Sequence, residues 1–177
     1  AGADSSDVAA LVALQPGEGA AVRFALSLED GANKGGVVTA MAHVQGGGLL
    51  LVLPPAAAAA VQAAAAAAGP EVSAMDLAEQ CVLLSILGPG ASDLLAQAGV
   101  AGVLQQAPGA HSVFGFEGRP VVAAHGVELG AHLACANLVL DEGVAGLVWA
   151  AMVDRGAEPV GTQALDAVLA AAAAAAK

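Results

Sequence analysis

Few residues in this chain have the types and spacing that chemistry needs. The turn Gly88-Pro89-Gly90 follows the apolar run "CVLLSIL" and precedes "ASDLLAQAG". A glycine-rich turn in such a place can hold phosphate by aiming successive backbone N–H groups at its oxygens, with a lysine to meet the charge. Pro89 has no N–H and no lysine follows, so the turn reads as a strand-to-helix corner. His132 and Cys135 are the closest pair of metal-ligand types. Three positions apart on a strand they point to opposite faces, which favours separate core or edge residues over a shared ion. Ser85 stands inside an apolar run with no Gly-x-Ser-x-Gly elbow and reads as a packed hydroxyl rather than a nucleophile.

The acids are equally dispersed. Glu29-Asp30, Glu117, Glu128 and Asp141-Glu142 all fall at expected turns or helix starts, where carboxylates cap helices and offset their dipoles. Cys81 and Cys135 lie in separate apolar runs and read as free, buried thiols of a reducing compartment, with a regulatory, redox-sensing disulfide as the alternative.

The bulk properties exclude several function classes. Five basic residues against a net charge of −11 leave no cluster of Lys and Arg to displace counterions, so nucleic acid is not an expected partner. No stretch holds bulky apolar residues over the ~20 positions of a bilayer span. The N-terminal "AGADSSDVAAL" has neither the basic start nor the apolar centre of a secretion signal.

The elements that must position these residues follow from periodicity. Val22–Gly31, Gly36–Gly48 and "LLLVLPP" read as strands, and Pro54-Pro55 opens a helix through the alanine run to Gly69. "EVSAMDL" alternates with period two and reads as a further strand. The second half begins with strand 81–87, the corner, and a short helix ending about Gly99. Two strands joined by a tight turn at Glu117-Gly118 come next, then strand "AHLACANLVL". A helix capped by Asp141 and stopped at Gly156 presents Val144, Leu147, Val148, Ala151 and Met152 on one face, and a last helix starts near Gly161-Thr162. Strands with segregated helices imply an α+β fold of mainly antiparallel sheet, in two half-domains, 1–78 and 79–177.

Several segments in this order resemble a known family. "LQPGEG", "LLLVLPPAAAAAVQAAA", "CVLLSILGPGASDLL", "HSVFGFEGRPV" and "VWAAMVDRGAEPVGTQALDAV" are similar to the glycine-cleavage T-protein (aminomethyltransferase) superfamily. The closest likeness is to its folate-binding branch associated with iron–sulfur cluster assembly, in the plastid-type version. The resemblance spans Asp7 to about Val168. It implies tandem half-domains around a folate-sized opening, tetrahydrofolate as the cofactor, and a chloroplast location, with the mitochondrion as the alternative.

Site residues implied by the resemblance are Glu128, the acid nearest to the position that holds the pterin, and Phe114 and Phe116 as apolar walls. Of the other aromatics, Phe24 is a further candidate wall and Trp149 reads as packing. Against the family pattern the chain lacks the opening strands, the C-terminal barrel domain with its Lys-Gly-Cys-Tyr-x-Gly-Gln motif, and the Asp-Glu-Gly-Phe segment, where it reads "ELGAHLACA". These departures lead to the expectation of a degenerate, non-catalytic subunit that binds no cofactor and works with other protein subunits of a larger organellar assembly. The alternative is a tetrahydrofolate-binding protein of one-carbon transfer or iron–sulfur assembly.

Overall fold

A computed structural model of the chain describes residues 21–28, 36–45, 48–53, 55–126 and 134–175. The chain divides into two compact units, Ala1–Leu77 and Ala78–Lys177. Each combines antiparallel sheet with helix, which makes the fold α+β.

In the first unit β1 (Ala21–Leu28), β2 (Gly36–Gln45) and β3 (Gly48–Val52) form a three-stranded antiparallel meander in chain order. Its register pairs Ala21 with His43 and Met41 with Val52. Helix α1 (Pro55–Ala68) takes up the alanine run. Alanine has the highest helix propensity, and proline suits a first helical turn, so the segment needs few larger side chains to be helical. Val61 and Ala65, one turn apart, are its buried line. The expected strand over "EVSAMDL" is not one: residues 72–77 carry no regular structure. The alternation there places no residue in a core, and Met75 is 79% exposed, so period two alone supplies nothing to pair or bury.

The second unit is built on a four-stranded antiparallel sheet. Along the chain come β4 (Cys81–Leu87), α2 (Ala91–Gln97), a 3-10 turn at Val103–Gln105, β5 (His111–Phe116), β6 (Arg119–His125), β7 (Cys135–Asp141), α3 (Glu142–Asp154) and α4 (Thr162–Ala175). The order in space is β4-β7-β6-β5. β5 and β6 meet through a two-residue turn, with Phe116 opposite Arg119. Glu117 (φ 49°) and Gly118 (φ 79°) both take positive φ, the signature of the hairpin turn whose twist matches that of the strands.

One face of this sheet carries the core. Val121 and Ala123 of β6, Ala136, Leu138 and Leu140 of β7 and Phe116 of β5 pack with Leu95, Ala98, Val100 and Val103, and with Val144, Val148 and Met152 of α3. The buried stripe of α3 therefore steps by one turn from Val144 to Met152, joined by Ala145. Leu147, expected on that face, falls on its flank and is exposed.

Both ends of α3 are closed chemically. Asp141 caps it, its Oδ1 accepting from the Gly143 N–H at 2.8 Å. At the other end Gly156 N–H donates to Val153 O (2.9 Å) and Ala157 N–H to Met152 O (3.0 Å), the paired bonds of a Schellman motif with glycine in the left-handed region at φ 97°. α2 ends with the same pattern, Gly99 N–H to Ala96 O and Val100 N–H to Leu95 O.

Candidate functional site

The corner at Gly88-Pro89-Gly90 is built from used donors. Gly88 N–H donates to Ala134 O at 3.0 Å, continuing the β4–β7 ladder, and Ala91 N–H donates to Gly88 O at 3.1 Å. Pro89 has no donor between them, so successive N–H groups do not converge on a common point. The turn positions α2 against the sheet.

Ser85 is exposed rather than packed, yet its hydroxyl joins two strands, Oγ donating to Oδ1 of the buried Asn137 at 2.7 Å across the β4–β7 pair. A buried amide needs such partners. His111 is buried on β5, and His125 is half-buried at the end of β6, with Nδ1 2.7 Å from Gln106 O. His132 lies outside the described residues. Among the described residues no three His, Cys, Asp or Glu side chains come together as a metal site. Cys135 is buried, but Cys81 is only half-buried. The register sets them at opposite ends of the β4–β7 ladder, Cys81 opposite Asp141 and Cys135 opposite Leu87. At about 3.3 Å per residue that is roughly 20 Å, far beyond disulfide reach.

Phe114 and Phe116 stand on the same side of β5. Phe116 is 6% exposed within the core, and Phe114 packs against that core half-buried. The structure brings these two together, while Glu128 lies outside the described residues. Trp149, expected to pack, is 48% exposed on the flank of α3.

Trp149 instead borders a groove of about 730 Å3 that runs along β4. The floor is the strand itself, Leu83 to Leu87. One wall is the corner and α2, and the other is the end of α3 with the connection through Val160 to Leu165 of α4. Leu83, Trp149, Val153 and Val160 are exposed apolar residues in its lining, and Asp93, Arg155 and Glu158 are its charged ones. Arg155 is held in place, Nη1 donating to Ala151 O at 2.8 Å.

The polarity of the strand's backbone follows from the bonds flanking it. Glu142 N–H donates to Gln80 O, and Gly88 N–H to Ala134 O, both at 3.0 Å. Antiparallel ladders alternate bonded and non-bonded residues, so the even positions of β4 turn their N–H and C=O groups to β7. Cys81, Leu83, Ser85 and Leu87 turn theirs to the groove, where no strand among the described residues pairs with them.

Sequence reasoning did not find this edge. The seven-residue run "CVLLSIL" lacks charge and proline, the usual guards of an outer strand, so its composition is that of an inner one. Reading the edge required the strand order, and no local pattern gives that.

No protein-family model matches the chain, and no curated protein matches it in sequence. Among the described residues no helix is long and apolar enough to cross a membrane.

Proposed function

We propose that this chain is a non-catalytic docking subunit on a T-protein-like scaffold, working with other protein subunits of a larger organellar assembly in the chloroplast. The observation that supports the reading is the groove along β4, which joins a strand edge unpaired among the described residues to exposed Leu83, Trp149, Val153 and Val160. Exposed apolar side chains beside an unpaired strand edge are a physical mark of a protein-binding surface, where main-chain hydrogen bonds hold an added strand and side chains select it.

Two measurements test this reading. Calorimetric titration with tetrahydrofolate is expected to release no heat from the folded chain, whereas micromolar binding lost in Glu128→Ala would put the folate-binding alternative first. In an extract of its own compartment the chain is expected to sediment with a larger assembly, and Trp149→Glu with Val160→Glu is expected to release it. Sedimentation of that double variant with the assembly, as for the unaltered chain, would remove the groove from the reading.

A further inference from the structure

The longest exposed stretch among the described residues lies where the chain passes from one unit to the other. Pro70 to Gln80 are all exposed except the half-buried Leu77, residues 72–77 carry no regular structure, and the unit boundary falls after Leu77. We infer that this stretch is an endoproteolytic site, at which a peptidase opens the folded chain into two pieces that keep every described strand and helix whole. The inference is independent of the docking surface.

A peptidase holds its substrate as an extended strand, so hydrolysis requires a segment that can take that form without breaking a ladder, a helix or a core. Residues 70–80 meet this condition. None of them belongs to the buried set, and Val72 and Met75 are exposed large apolar side chains, Met75 at 79%. Val72 N–H donates to Gly69 O in a turn and Gln80 O accepts from Glu142 N–H, so the stretch is tied at both ends. In the hydrolysis water adds to a carbonyl carbon, the C–N bond breaks, and the new ends are a carboxylate and an amine. The elements β1 to α1 stay on one side of the cut and β4 to α4 on the other.

Other exposed positions fit a peptidase less well. Glu117 stands in the two-residue β5–β6 turn, and Glu142 in the first turn of α3. Glu158, in the connection to α4, precedes Pro159, whose ring takes the place of the amide N–H that a peptidase holds. Leu147 and Trp149 have exposed side chains, but their backbone is helical.

The test treats the full folded chain with two peptidases of different specificity, a glutamate-specific endopeptidase and chymotrypsin, and follows the cuts by intact mass. Cleavage after Glu71 is expected at least roughly tenfold faster than after Glu117 or Glu142, because those two bonds require prior local opening. With chymotrypsin, cleavage after Met75 or Leu77 is expected to precede cleavage after Leu147 or Trp149 by the same factor. In urea that unfolds the chain both preferences are expected to vanish. Equal rates at Glu71, Glu117 and Glu142 in the folded chain overturn the site, as does cleavage after Trp149 ahead of Met75 and Leu77. Preferences that persist in urea belong to the local sequence and overturn it equally.

Discussion

Single residues hold the second unit's turns and helix ends in place, and the energies involved are individually modest. Glu117 takes φ 49°, a region that costs a residue with a side chain about 1 kcal/mol and that asparagine tolerates better. Glu117→Asn is expected to raise stability by about 0.5 kcal/mol in urea unfolding, with no change of slope. Asp141→Ala removes the side-chain acceptor for Gly143 N–H and is expected to lower stability by about 1 kcal/mol in the same assay. Both turn and cap were legible in the sequence, because Glu-Gly between alternating strands and Asp before a helical period have local physical causes. The exposure of Trp149 was not legible. Which face of α3 a bulky residue joins depends on the sheet beneath it, and the buried stripe runs through Val144, Val148 and Met152 instead. Trp149→Ala is therefore expected to change the unfolding free energy by less than about 0.5 kcal/mol, whereas an equal truncation at the buried Leu138 is expected to cost about 2–5 kcal/mol.

At the scale of elements, strand and helix periods mark most segments well. The run 81–87 is β4 as read, the alanine segment is α1, and the helices after Asp141 and Gly161 start within a residue of their signals. The failure at "EVSAMDL" has a plain cause, since alternation in polarity makes a strand only where a neighbour offers a ladder and a face to bury. Strand order carries a further consequence for the thiols. Cys81 and Cys135 sit on paired strands, but at opposite ends, so an oxidant is expected to leave no intramolecular disulfide between them. Thiol counting and intact mass after treatment with a disulfide donor check this, and an 81–135 crosslink in the folded chain would contradict the register. The same order made β4 an edge, and sequence neighbours of β4 give no hint that its partner is β7.

At the scale of the molecule, the buried cluster found among the described residues, Leu95 through Met152, lies within the second unit. A core of that kind supports independent folding, so residues 78–177 alone are expected to unfold in one cooperative transition by circular dichroism. A gradual, non-cooperative loss of signal would show that this core is insufficient.

The distance along the chain between β4 and its partner bears on synthesis as well. Ser85 and Asn137 are hydrogen-bonded neighbours 52 positions apart. At ribosomal speeds of about 5–20 residues per second, the uncharged strand "CVLLSIL" waits roughly 3–10 s for the segment that covers its inner edge. β5 and β6 can form a local hairpin meanwhile, and pairing of β4 with β7 is the late, long-range step of folding. During that interval both edges of the strand lack their partner, which makes one identifiable seven-residue segment the place where a nascent chain of this design is most prone to aggregate.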